Sequence, residues 1–276
     1  QPVKKPDYVG SVKYLELINE MYAQEGKSPF VSDATLNNYR DQTDPELYPN
    51  INWWNTISKN HADNTRATLS VNGGSKTLRY ALVAGYYNEN GILVRDKSKE
   101  WDSSLKVDRY TVRSNVDINL TNSTVLRINI GGYLQSRNAP PGDITNKTVF
   151  YNAMRVPPYI HPAIYSDGRI PKVTYKENPW SALTQRGYEK LNHSNIEALT
   201  SLEQDLKFIT PGLSMKLTYS FDKFSANSVT RAKNPDYYNP AAGRDYTGRL
   251  ITTIQSNGEL HFVVMTAQSE KEVFVE

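Results

Sequence analysis

The sequence predicts an all-β chain of antiparallel transmembrane β-barrel strands joined by long extracellular loops, the first loop partly helical. Three observations carry this expectation: long two-residue alternation, tight turns at one end of the strands with long loops at the other, and a strongly polar second face. The clearest alternation is RYTVRSNVDINLT, residues 109–121. Tyr110, Val112, Val116, Ile118 and Leu120 fall on one side, with Arg109, Arg113, Asn115, Asp117 and Asn119 on the other. A period of two marks a strand with unlike faces, and this one is about twice the usual globular strand length.

Composition agrees with an ordered β-rich chain. Only 38% of the 276 residues are apolar, yet aromatics reach 11%, with 19 tyrosines, which separates the chain from disordered sequences. The net charge of +3 is spread without a Lys/Arg run, so no nucleic-acid footprint is expected. The absence of cysteine excludes disulfides, thiol nucleophiles and thiolate metal sites. No apolar run approaches the roughly twenty residues of a membrane helix, and the opening QPVKKPDYVG lacks the apolar centre of a signal peptide. These points exclude helical spans only, because half of each barrel strand faces the lumen.

Residues 1–60 read as an extracellular loop with short helices. SVKYLELINEMYAQEG places Leu15, Ile18 and Tyr22 on one stripe, with Ser11 as N-cap and Gly26 as stop. Two shorter helical turns follow, capped by Ser32 or Asp33 and by Asn52, and prolines separate the pieces. Residues 61–276 read as early barrel strands and extracellular loops. A Gly74-Ser75 hairpin of type II′ joins RATLSVN to TLRYALVAGYY. A three-residue turn, Asn122 to Thr124, places Leu120 opposite Leu126, Asn119 opposite Arg127 and Asp117 opposite Asn129. A third hairpin turns through Ile209 to Gly212. The connections at the other end, 88–108, 136–192 and about 223–248, are long and polar, which compact domains seldom tolerate.

A lipid-facing band about 25 Å tall, crossed at about 45°, takes roughly ten residues per strand. The apolar face then meets lipid, and Arg109, Arg113, Asp117, Arg127, Glu197, Glu203, Asp205, Lys216 and Asp222 line a wet interior. Six to eight strands would crowd those charges, so the strands are expected to be part of a larger barrel. A soluble all-β carbohydrate-binding module is the rival; it would bury Val112, Val116, Ile118, Ile128 and Ile130 against a second sheet. A complete small adhesin or enzyme barrel is a third possibility.

At RYALVAGYYNENGIL, together with YPNINWW, LSVNGGSKTLRY, RYTVRSNVDINLT and LKFITPGLSMKLTYSFD in this order, the chain resembles the SusC/RagA family of TonB-linked outer-membrane transporters. The resemblance implies a 22-stranded barrel with a plug, TonB as energising partner, and a SusD-like lipoprotein lid that helps capture glycans or peptides at the cell outer membrane of a Gram-negative bacterium. Against that pattern the chain shows no signal peptide, TonB box or plug, and it stops at EVFVE, so a partial barrel is expected. No enzyme activity and no cofactor are expected.

The loop at 148–183 is the candidate substrate or lid contact. Tyr151, Arg155, Tyr159, Tyr165, Arg169 and Trp180 combine flat apolar faces with hydrogen-bond donors; alternatively the loop packs on itself. Tyr86, Tyr87, Tyr110, Tyr133 and Tyr219 read either as interfacial girdles or as strand packing. Trp53 and Trp54 read as loop anchors more readily than as a sugar platform. His61, His161, His193 and His261 lack metal spacing, and Glu197, Glu203 and Asp205 read as lumen lining rather than as a hydrolytic pair. Asn122, Asn146 and Asn192 fit glycosylation sequons as chance matches.

Overall fold

The computed structural model describes residues 7–141, 146–172, 177–260 and 264–275. Three helices come first: α1 (Ser11–Gln24), α2 (Asp33–Asp41) and α3 (Trp53–Ile57). Ser11 does not cap α1. Gly10 holds that position; Asn50 Oδ1 accepts the Ser11 N–H at 2.9 Å, while the Ser11 hydroxyl donates to the Pro49 carbonyl at 2.7 Å. The prolines therefore fold the loop back onto its own helix start. Ser32 and Asn52 cap α2 and α3 through the N–H groups of Thr35 and Asn55, each satisfying an orphan donor.

The sheet is an antiparallel meander of seven long strands in chain order: β1 (Asn64–Gly74), β2 (Leu78–Asn90), β3 (Lys106–Asn119), β4 (Thr124–Ala139), β5 (Gly187–Asp205), β6 (Ser214–Asn234) and β7 (Val264–Val275). Short strands and two further helices, α4 (Asn146–Arg155) and α5 (Pro179–Thr184), lie within the long connections. Among the described residues no helix is long and apolar enough to cross a membrane, which leaves strand crossings open.

All three tight turns form at the same end of the sheet, but each is displaced from the expected position. Gly74 lies in the β1 ladder opposite Arg79, and the hairpin turns at Lys76–Thr77. There Ser75 Oγ accepts the N–H groups of Thr77 and Leu78, each at 3.2 Å, so a hydroxyl does the work assigned to glycine. The β3–β4 turn is Thr121–Ser123, closed by Leu120 N–H to the Thr124 carbonyl at 2.9 Å. This register sets Asp117 opposite Arg127 and Asn115 opposite Asn129. The third turn widens to Lys207–Gly212 between paired Leu206 and Leu213.

The strands also run further into the long connections than expected. β6 has 21 residues and continues to Asn234, and β5 begins at Gly187. There the hydrophobic alternation disappears while the hydrogen-bond ladder continues.

Buried hydrophobic residues gather in the loops. One cluster joins Trp53, Ile57, Leu93, Val149, Ala153, Val156 and Leu183; a second joins Leu15, Leu36 and Tyr39. Both sit at the long-loop end of the strands, so the loops form a packed cap.

Candidate functional site

The two sheet faces differ in kind. On the polar face an ionic ladder crosses five strands: Asp117 lies 3.6 Å from Arg79 and 4.0 Å from Arg127, Arg127 pairs with Glu203, and Glu203 lies 3.9 Å from Lys216. Further up, Glu197, Asp222 and Glu272 stand directly opposite one another across β5, β6 and β7. Three adjacent carboxylates repel unless water screens them, which fits a broad aqueous space on this side.

The other face is apolar and uncovered. Leu78, Ile118, Leu126, Leu202 and Leu217 form one cross-strand row. Four residues up the strands, Leu82, Ser114, Ile130, Ala198 and Phe221 form another. Val112 is 52% exposed and Ile130 49%, while Val116, Ile118 and Ile128 are half-exposed. At the loop end of the band the Tyr86 and Tyr110 rings lie 5.1 Å apart, and Tyr86 Oη donates to Asp108 at 3.0 Å. Tyr219 shares this face near the turns, opposite Val275 and Thr200. Tyr87 and Tyr133 occupy the polar face instead, so they are no part of an outward girdle. Tyr87 Oη donates to Glu89 at 2.7 Å, and the Arg109 guanidinium lies 4.1 Å from the centre of the Tyr133 ring.

The cap is tied together by groups distant in sequence. Arg244 sits in a short hairpin of the last connection and grips Asp44 through Nε at 2.5 Å and Nη2 at 3.1 Å, with Glu46 2.6 Å from the same Nη2. Glu46 also accepts the Ser166 N–H at 2.6 Å, so one cluster clasps three loops. The Arg244 hydrogen bonds hold Asp44 below the usual carboxylate range. Burial pushes Glu46 up, but the Ser166 and Arg244 hydrogen bonds outweigh it and leave a net lowering.

His161 is buried beside Trp53, ring centres 5.5 Å apart, with Nδ1 2.7 Å from the Pro162 carbonyl. Burial lowers its pKa to about 4, so the ring is neutral at pH 7. Trp53 is fully buried and Trp54 stacks on Phe150 at 4.3 Å; both anchor the loop. His61 is exposed, His193 lies 5.9 Å from the Phe224 ring, and His261 lies outside the described residues, as does the side chain of Asn146. Asn122 occupies the β3–β4 turn, and Asn192 donates to Asn227 on the neighbouring strand at 3.0 Å.

The six candidate contact residues separate into two sets. Tyr159 is half-buried between Tyr14 and Phe30, and its carbonyl accepts from Tyr39 Oη at 3.0 Å. Tyr165 is buried, its hydroxyl accepting the Ala241 N–H at 2.8 Å. Arg169 pairs with Asp167 at 2.5 Å and donates to the Leu250 carbonyl at 3.1 Å, and Trp180 packs on the Trp53 cluster. These four build the cap. Tyr151 and Arg155 are both exposed on α4, with the guanidinium over the ring at 4.7 Å and bonded to its hydroxyl.

No family model matches the chain. Over 101 residues it is 29% identical to TonB-dependent receptor P26 of Formosa agariphila, a match covering 36% of this chain and 9% of that relative. Over that segment the chain is similar to a TonB-dependent receptor. Its solved structural neighbours include the RagAB peptide importer in the open-open state (15% identity, TM-score 0.48, 82% of this chain and 27% of that one) and in the closed-closed state (11%, 0.37, 80% and 30%). The chain thus spans under a third of the length of these solved chains. The Asp44–Glu46–Arg244 clasp gave no sequence signal, because its partners stand about two hundred residues apart without a shared motif.

Proposed function

We propose that the SusC/RagA-like chain supplies barrel wall and extracellular loops to a TonB-dependent importer in the outer membrane of a Gram-negative bacterium, moving glycans or peptides without an enzymatic step. One observation carries the reading: the apolar face of the sheet is continuous and uncovered, while the buried apolar residues sit in the loop cap. Soluble proteins rarely expose so extended an apolar surface, and a carbohydrate-binding sandwich would bury it against a second sheet.

The unclosed sheet supports the same reading. Among the described residues the outer edges of β1 and β7 pair with no strand. Hydrocarbon tolerates no unpaired backbone edge, so further strands complete the wall in the intact protein. Residues 1–60 serve as an extracellular loop and 61–276 as early strands with their loops. The cap, with Tyr151 and Arg155 exposed on α4, is the contact surface for cargo and a SusD-like lipoprotein, its packing maintained by Tyr159, Tyr165, Arg169 and Trp180.

Spin labels at Val112 and Ile130 in the intact protein test the membrane reading. Relaxation by oxygen, which concentrates in hydrocarbon, is expected to exceed relaxation by a water-soluble nickel chelate at both sites. Protection from both agents would mean a buried second layer and would overturn the reading.

A further inference from the structure

Above the apolar band the outward face becomes basic, in two tiers. At the band's upper margin Lys223 on β6 stands directly opposite Lys271 on β7, both exposed, with Lys271 Nζ 5.4 Å from the centre of the Phe221 ring. Higher up, Tyr188 pairs with Arg231 and Lys190 with Val229, which makes Lys190 and Arg231 diagonal neighbours about 7–8 Å apart on one face. Lys233 Nζ lies 5.0 Å from the Trp101 ring centre, and Lys190 Nζ lies 6.0 Å from that of Tyr188.

These upper groups line an open cleft of about 650 Å³. Glu100 and Asp102 also border it, but Asp102 is engaged by Arg95 at 3.6 Å, so three cations face one unengaged acid. None of Lys190, Lys223, Arg231, Lys233 and Lys271 forms a salt bridge among the described residues. Two lysines directly opposite one another repel, a cost that an anion between them would offset.

We infer that this outward ridge binds the phosphate groups of an anionic glycolipid of the outer leaflet. The inference rests on the membrane reading above, which sets this face against lipid and the long loops outside. The lower tier stands where headgroups begin. Lys190 lies six residues beyond outward-facing Ile196, about 20 Å along the strand and about 14 Å in height at 45°, within reach of a phosphorylated sugar headgroup. The Trp101 and Tyr188 rings border the same cleft, Trp101 with the Lys99 Nζ also 5.8 Å from its ring centre.

The test is native mass spectrometry of the intact protein in non-ionic detergent, titrated with bisphosphorylated lipid A. Lys190→Gln/Arg231→Gln and Lys223→Gln/Lys271→Gln are each expected to weaken retention about thirtyfold, as losing two cations near an anionic headgroup implies. Phosphate-free lipid A should bind the unaltered protein about tenfold more weakly, a comparison that needs no variant to fold. Equal binding of the two lipids, or undiminished binding to folded variants, overturns the inference. Displacement of lipid A by equimolar inorganic phosphate overturns the lipid assignment in favour of a free anion. Membrane fractionation separates the underlying reading: protein in the outer membrane without phosphate preference defeats the ridge alone, whereas protein absent from the membrane defeats both.

Discussion

Arg244 illustrates how much one side chain organises when its partners come from three loops. Replacing it with glutamine removes the grip on Asp44 and Glu46, and Glu46 then anchors Ser166 alone. Amide exchange over residues 40–48 and 164–168 of the intact protein is expected to speed several-fold in Arg244→Gln, with the strand ladder unchanged. The same opening should occur in the unaltered protein under acid. Both carboxylates are lowered in the folded cap, so the clasp's stabilisation is complete above their ordinary values near 4 and drains away as pH falls through the lower folded values. Opening already at pH 6 would show that the clasp is not what holds the loops. Among single residues, the sequence disclosed helix caps such as Ser32 and Asn52, whose signals are local. It could not disclose Arg244, because an ion pair between distant loops leaves no periodic or motif trace.

The strands show which part of a sheet sequence specifies and which it leaves free. The expected apolar and charged faces of the long hairpins survive although every register is displaced, because the displacements are by even numbers of residues. Tyr87 and Tyr133, read as possible girdle members, are the exceptions and lie on the polar face. An even slip keeps each apolar residue outward, so the hydrophobic pattern is indifferent to it. The choice falls to turn and cross-strand chemistry: the Ser75 hydroxyl at the first hairpin, and Asp117 set opposite Arg127 at the second. In the proposed barrel, Ile130→Arg on the outward face should cost about 2–4 kcal/mol and Asn129→Arg next to it close to nothing. Reversible unfolding of the intact protein in lipid vesicles measures the difference, and equal costs would reverse the assignment of faces. Strand ends were the least legible feature, since β6 keeps its ladder to Asn234 after the apolar alternation has ended.

At the level of the whole molecule, the chain divides its apolar residues between an uncovered sheet face and an enclosed loop cluster. The sheet presents them outward, and the cap encloses them around Trp53. Trp53→Ala should leave a cavity costing about 3–5 kcal/mol of cap stability, seen as increased protease nicking of the 91–105 and 140–186 loops while the strands stay resistant. Loss of the strands along with the loops would mean that cap and sheet fold as one unit. The longest strand adds a further dimension to the proposed wall. Twenty-one residues at about 3.4 Å each far exceed the roughly ten that cross hydrocarbon, leaving a rim that rises about 25 Å beyond the membrane surface at 45°. Solute released by the cap therefore enters a vestibule almost as deep as the bilayer's oily layer, and whatever grips it next must reach up to meet it.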